Sequence, residues 1–218
     1  MTAFYVGLDV GGREIHGVAL GADNYVVGHL AVKPNAADRL LERAAGAAAI
    51  AIDSPDRLSS APQGADPNPD IPPKFCKAGC AETGLLKLYR LQVPWPTPTG
   101  EPVDAWMRVG IRLFDALRHA GHDPAEVFPD AAVGRLVGQL RPPPKEGTRV
   151  GSEEKARLSG EVGVKTAGIE LSSTHGIDAL VSAVLARMAL TGTAIPASCG
   201  HDGSPIWIPK APVTGIPE

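Results

Sequence analysis

The chain has 218 residues and a formal net charge of -3, with 44% hydrophobic and 21% charged residues. This composition is typical of a globular protein and excludes a disordered chain, a coiled coil and a collagen-like repeat. Because the charge is nearly balanced, a nucleic-acid site must be a local basic patch or an acidic site neutralised by metal.

The sequence predicts a cytoplasmic protein with reduced cysteines. No apolar run reaches the roughly 18 residues of a membrane span. The charged Asp9 comes too early for a signal peptide. The three cysteines, Cys76, Cys80 and Cys199, are an odd number, which speaks against a disulfide framework. The C-x3-C spacing, with His201 close behind the third cysteine, leaves a structural zinc site as an alternative.

The opening of the chain predicts an antiparallel meander. Gly11-Gly12 forms the first turn and a Gly-Ala-Asp segment forms the second. The apolar, β-prone runs that these turns join predict three strands, at residues 3–10, 14–20 and 24–32.

A helix and a further strand are expected next. The helix covers residues 36–46, with Asn35 as its cap and Gly46 at its end. The apolar run 47–53 predicts a buried strand, which stops before Pro55. A crossover helix of this kind makes that strand parallel to the first one. The fold class predicted is therefore α/β, with a mixed central sheet built on a β-β-β-α-β core.

The rest of the chain predicts one domain over residues 1–218, with a loop-rich insertion at about 54–100. A loop this long is usually functional or forms a lid. The elements expected after it are a helix over 102–120, a strand over 125–128, a helix over 131–140, a loop over 141–151, a helix opening at Ser152, a buried helix over 175–191 and a short strand in the tail.

Four acidic residues lie on elements where an ionised carboxylate is costly unless it is paired or holds a metal: Asp9, Asp53, Glu126 and Asp178. Asp9 and Asp53 end parallel strands, where ligands bind in α/β sheets. Converging carboxylates without a basic partner of their own suit Mg2+ or Mn2+. Two such ions would activate a water and stabilise the leaving oxygen of a phosphodiester. Asp9 is expected to bridge both ions, with the other three acids completing their ligand shells.

Each acid also has an alternative role without chemistry. Asp9 would form a turn with its own backbone, and Asp53 would cap the turn that follows it. Asp178 would be favoured by the dipole of its helix. Glu126 would be a half-exposed surface residue.

Four segments together resemble domain-of-unknown-function family 429. They are VGLDVGG, AIDSP, EVFP and GIDALVSAVLA, in that order, and the resemblance runs from about residue 4 to 210. That family is regarded as having an RNase H-like fold and as a predicted nuclease. The resemblance implies that the four acids form the catalytic cluster. It also implies a basic element, matched here by Lys145 and Arg157.

Two basic stretches flank the predicted carboxylate face and would clamp phosphates, or else be solvated loop charge. The first contains Lys74, Lys77, Lys87 and Arg90, in a loop where the family often carries a Cys-Asp or Arg-x-x-Asp element instead. The second contains Lys145, Arg149, Lys155, Arg157 and Lys165. The side chains of His175 and His201 are candidates for a general base or metal ligand.

The leading hypothesis is a metal-dependent nuclease, with DNA or RNA as substrate, Mg2+ or Mn2+ as cofactor, and Lys145 or Arg157 on a phosphate. Two alternatives stay open. Actin-like and sugar-kinase folds share the β-β-β-α-β core and open with D-x-G, which would make the chain a nucleotide-dependent phosphotransferase. The third possibility is a nucleic-acid-binding module without catalysis.

Overall fold

The computed structural model describes most of the predicted core. The residues that it describes are 2–58, 82, 85, 97, 100, 102–136, 155–156, 159–160, 162–166, 169, 171, 173–197 and 205–210. The strands among them are β1 (Phe4–Val10), β2 (Ile15–Gly21), β3 (Val26–Val32), β4 (Ala49–Asp53), β5 (Ala125–Val127), β6 (Ala194–Ala197) and β7 (Ile206–Pro209).

The seven strands form one mixed sheet in the order β3-β2-β1-β4-β5-β7-β6. β1, β2 and β3 pair antiparallel, while β1, β4, β5 and β7 run parallel to one another. β6 closes the far edge antiparallel to β7. These directions confirm the predicted meander, the parallel fourth strand and the mixed central sheet. They also bring the carboxyl ends of β1, β4 and β5 to the same edge.

Helices cover both faces of the sheet. They are α1 (Asp38–Ala44), α2 (Ala105–His119), α3 (Pro129–Leu136) and α4 (Thr174–Leu190). α1 and α2 contribute Leu40 and Phe114 to the core on one face. α4 contributes Val181 and Leu185 to the core on the other. None of the helices within the described residues has the length and apolar character needed to cross a membrane.

The alternation of side chains along β1 determines which face of the sheet Asp9 lies on. Val6, Leu8 and Val10 belong to the core beneath α1 and α2. Successive side chains of a strand point to opposite faces, so Gly7 and Asp9 face α4. A Cβ on Gly7 would overlap the carbonyl oxygen of Ala179 and the amide nitrogen of Ala183. Glycine is therefore what lets α4 lie directly on β1, with its first turns beside Asp9.

Some predicted boundaries were wrong. Asn35 does not cap α1, because Pro34–Ala36 forms a separate 3-10 turn and Ala37 precedes the helix without a side-chain cap. α1 then ends at Ala44, before Gly46. α3 begins at Pro129 and not at 131, and the rest of the helix predicted to 140 lies outside the described residues.

Other elements differ less, or were missed. α4 matches its predicted range to within a residue. The opening of the helix predicted at Ser152 lies outside the described residues, although Lys155 and Ala156 are helical. β6 was missed because it is short and contains Pro196, which an edge strand tolerates since its N–H side needs no partner.

Candidate functional site

All four predicted acids line one cavity of about 500 Å³ at the carboxyl ends of β1, β4 and β5. Asp9, Asp53, Glu126 and Asp178 reach it from three strands and the first turns of α4. Ligands of open α/β sheets bind at this edge. The predicted convergence on one cavity is therefore found, although the four side chains divide into two groups within it.

Asp9 and Asp53 form the centre of the first group. They are direct register partners on adjacent parallel strands, which places their backbones about 4.8 Å apart. Both side chains face α4. Asp9 is 6% exposed, and its Oδ2 accepts a hydrogen bond of 2.6 Å from Nδ1 of His175. The acid thus contacts α4, and it does not serve the turn-forming role considered as its alternative.

Asp53 carries the least compensated negative charge of this group. Burial raises its pKa well above the ordinary value, and the nearby carboxylates of Asp9, Asp178 and Asp130 raise it further. Within the described part of the chain its carboxylate makes no hydrogen bond. A side chain held beside like charges without a donor is costly to the fold. Asp53 is therefore the residue that a bound cation would relieve most.

Asp178 has a basic partner, which corrects the expectation that the acids have none. Oδ1 of Asp178 lies 2.5 Å from Nζ of Lys155, and the same ammonium contacts Oδ1 of Asp130. Burial alone would lower the pKa of Lys155, but the two carboxylates outweigh it and raise that pKa. The lysine therefore stays charged. The helix-dipole alternative for Asp178 was wrong, because the first turn of α4 contains no acidic residue.

Glu126 lies in a second group, on the opposite face of the sheet. Its neighbours Ala125 and Val127 pack on the α4 side, so alternation turns Glu126 toward α2. Its Oε2 accepts a hydrogen bond of 3.0 Å from the backbone N–H of Asp56. Burial, followed by the charges of Glu82 and Asp56, raises its pKa well above the ordinary value. At 8% exposure, the surface alternative for Glu126 was wrong.

The raised pKa of Glu126 predicts a pH-dependent cost to stability. A carboxyl whose folded pKa exceeds its unfolded value of about 4.3 stabilises the fold fully below that value. The contribution is lost as pH rises through the folded pKa. Glu126→Gln keeps an oxygen for the Asp56 N–H. We therefore expect it to raise the free energy of unfolding at pH 8 by about 0.5–2 kcal/mol.

Urea unfolding at pH 8 and pH 5 measures this effect. The advantage of Glu126→Gln should shrink at pH 5, where the wild-type glutamate is more often protonated. Glu42→Gln, on the exposed face of α1, is the matched control and should change stability by less than about 0.5 kcal/mol. A Glu126→Gln variant that is less stable than wild type at pH 8 would contradict this account.

Glu82 was not predicted from the sequence, although it lines the cavity together with Glu126. The carboxylate is buried, and its Oε1 accepts a hydrogen bond of 2.7 Å from the backbone N–H of Thr97. Glu82 lies in the long insertion, where no pattern separates it from other acids. Asp130 was also missed, because an acid in the first turn of a helix is ordinarily explained by the helix dipole.

Three histidines lie behind Asp9. His16 stacks on His29 and on His175, with ring centroids 5.5 and 5.6 Å apart. Burial and then His16 lower the pKa of His29. The rings reach from β3 across β2 to the start of α4. The stack thus contacts His175, which donates the hydrogen bond to the Asp9 carboxylate. Of the two histidines singled out in the sequence, His175 is thus part of the site.

Most of the predicted basic and cysteine residues lie outside the described residues: Lys74, Lys77, Lys87, Arg90, Lys145, Arg149, Arg157, Cys76, Cys80, Cys199 and His201. Lys165 is described, and it lies over the ring of Tyr25. That position is at the end of the sheet opposite Asp9. Lys165 is therefore not a phosphate ligand of this cavity.

The donor set fits one hard cation. Carboxylate oxygens are the ligands that Mg2+ and Mn2+ prefer. Asp53, which accepts no hydrogen bond within the described residues, lies next to Asp9. Among the residues that the structure describes, no group of three or more His, Cys, Asp or Glu side chains is arranged to hold a metal ion. Mg2+ commonly takes only one or two carboxylates, with water and substrate phosphate as its other ligands. Asp9 and Asp53 meet that lesser requirement.

Comparison with known proteins gives a distant structural likeness only. No protein-family model and no curated protein matches the chain. The chain is similar to a structure of Thermus thermophilus RuvC, with 14% identity, a TM-score of 0.44, and 94% of this chain and 100% of that chain covered. It is also similar to the structure of T. thermophilus RuvC in complex with a Holliday junction substrate, with 15% identity and a TM-score of 0.47. That match covers 93% of this chain and 99% of that chain. At these values the likeness carries no conclusion about the reaction of this chain.

Proposed function

We propose that the chain is a divalent-metal-dependent nuclease that hydrolyses phosphodiester bonds at the cavity around Asp9 and Asp53. The proposal depends on one observation, the pair of carboxylates formed by Asp9 and Asp53. The carboxylates of Asp9 and Asp53 lie at paired strand ends, with the carboxylate of Asp178 nearby. Asp53 accepts no hydrogen bond within the described residues. Negative charge concentrated in this way at a ligand-binding edge is unfavourable for the fold and is relieved when a cation binds.

The proposed roles follow from the contacts. Asp9 and Asp53 would hold the ion, which when bound supplies an activated water and stabilises the leaving oxygen. His175 orients the Asp9 carboxylate by its 2.6 Å hydrogen bond. Val10 and Trp106 also line the cavity. The ligand roles predicted for Asp178 and Glu126 stay predictions.

Nucleic acid is the proposed substrate, because a phosphodiester is what a cation held by carboxylates at an RNase H-like sheet edge would act on. Lys145, Arg157, Lys74 and Lys77 remain the predicted phosphate ligands. Membership of domain-of-unknown-function family 429 is proposed on the four sequence segments alone. A cytoplasmic location likewise stays a prediction.

A cleavage assay tests the proposal. The full chain is incubated with end-labelled single-stranded, duplex and branched DNA and RNA, with Mn2+, Mg2+ or a chelator. We expect metal-dependent cleavage of at least one substrate, and its loss in Asp9→Asn. Absence of cleavage with every substrate, or equal cleavage by Asp9→Asn, would overturn the proposal. Metal-independent binding without cleavage would favour a non-catalytic module.

A further inference from the structure

Lys155 is a buried cation within an acidic site, and the proposed function does not use it. Its side chain is only 5% exposed. Its Nζ lies 2.5 Å from Oδ1 of Asp178 on α4 and contacts Oδ1 of Asp130 in the first turn of α3. One ammonium therefore joins two helices through their carboxylates. Such a buried charge persists only where its partners are close and well aligned.

The ammonium of Lys155 lies at one side of the acidic cluster, on Asp178 and Asp130. Asp53 is close enough to both Asp9 and Asp178 for each to act on it, and Lys155 opposes their effect. On the Asp178 side, one ammonium faces the two carboxylates of Asp178 and Asp130 and offsets part of their negative charge. On the Asp9 side, the described partner of Asp9 is His175, and Asp53 has no hydrogen-bond partner among the described residues.

We propose that Lys155 takes the place of a second metal ion, so that the site binds a single divalent ion at Asp9 and Asp53. The proposal rests on the proposed function, since it concerns the number of ions at the same site. It replaces the sequence-based expectation of two ions bridged by Asp9. Lys155 is then a positioning residue, which keeps Asp178 engaged and away from the metal.

The role first considered for Lys155, as a phosphate clamp, does not fit the structure. A lysine that binds a substrate phosphate must have its ammonium group facing the substrate. This ammonium is enclosed and contacts two carboxylates, so moving it to a phosphate would leave Asp130 and Asp178 unpaired in the interior. Breaking a buried ion pair in that way is strongly unfavourable.

Counting bound Mn2+ on the full chain tests the inference. Free Mn2+ is measured by electron paramagnetic resonance during titration of wild type, Lys155→Met, Lys155→Arg and the control Lys165→Met. We expect one ion per chain in wild type, in Lys155→Arg and in Lys165→Met, and two in Lys155→Met. A count of two in wild type, or of one in Lys155→Met with wild-type affinity, would overturn the inference.

The same titration separates this inference from the proposed function. If wild type binds no Mn2+ but Lys155→Met gains an ion, Lys155 does take the place of a metal ion, but the single-ion site at Asp9 and Asp53 and the metal-dependent function both fail. If neither binds Mn2+, both fail. Should Lys155→Met fold poorly, its melting temperature is followed against Mn2+. The inference requires a larger rise than in Lys165→Met, because the ion replaces the missing charge. An equal rise contradicts it.

Discussion

Asp53→Asn is expected to abolish cleavage while making the fold more stable. The carboxylate faces the cavity beside Asp9 and Asp178, and these like charges together with burial raise its pKa. Asn is nearly the same shape but neutral, so the repulsion disappears together with the affinity for a cation. We expect the turnover rate to fall by at least about 10²-fold, as for the loss of other key electrostatic groups. The free energy of unfolding should rise by about 0.5–2 kcal/mol.

The sign of the stability change depends on pH. Because the folded pKa of Asp53 is raised, the stabilising contribution of the wild-type residue is complete only below its unfolded pKa of about 3.9. That contribution is lost as pH rises through the folded value. The gain in Asp53→Asn should therefore be largest at pH 8 without metal, measured by urea unfolding. Asp123→Asn, exposed at the amino end of β5, is the control. An Asp53→Asn variant that is less stable than wild type and fully active would show that Asp53 does not belong to a catalytic cation site.

Gly7→Ala is expected to be the most destabilising small substitution in β1. The added methyl group would overlap backbone atoms of Ala179 and Ala183 on α4, and backbone cannot rotate away as a side chain can. Overpacking typically costs about 1–3 kcal/mol. A clash with backbone should lie at the upper end, about 3 kcal/mol, which is a fall of roughly 6–12 °C in melting temperature for a chain of this size. Because α4 carries His175 and Asp178, activity should fall as well.

Gly28→Ala is the matched control for that prediction. Gly28 lies on the edge strand β3, and a Cβ there would meet only the Cβ of Ala19, at 4.0 Å. Alanine costs less backbone entropy than glycine on folding, so Gly28→Ala should be neutral or slightly stabilising. Equal melting temperatures for the two variants, measured by circular dichroism, would show that α4 does not lie on β1 as described.

The sequence was sufficient to predict the meander, the parallel β4 and the convergence of Asp9 with Asp53. These follow from short-range patterns: apolar runs, glycine turns, and the rule that parallel strands end at one edge. The two acids come directly at the ends of those runs. The register that pairs them across β1 and β4 agrees with that expectation.

The division of the four acids between two faces of the sheet could not be predicted from the sequence. A shift of one residue in register turns every side chain of a strand to the other face. The three-residue β5 is too short for its own pattern to show which way Glu126 points. The direction is given by the tertiary structure, in which Glu126 pairs with Ile52 and the side chain of Ile52 lies on the α2 side.

The role of Lys155 was hidden for a different reason. In the sequence it belongs to a basic stretch diluted by Glu153 and Glu154, which is typical of solvated charge. Its contacts are 25 and 23 residues away along the chain, at Asp130 and Asp178. Such ion pairs depend on the packing of α3 against α4. That packing cannot be predicted from the spacing of residues along the chain.

Mn2+ binding by calorimetry to wild type and Asp9→Asn is the most direct test of the central claim, that Asp9 and Asp53 form a cation site. We expect saturable binding to wild type, and its loss in an Asp9→Asn variant that still folds. Unchanged binding in Asp9→Asn would place the metal elsewhere. Absence of binding to folded wild-type protein would contradict the claim that this acidic pair holds a cation.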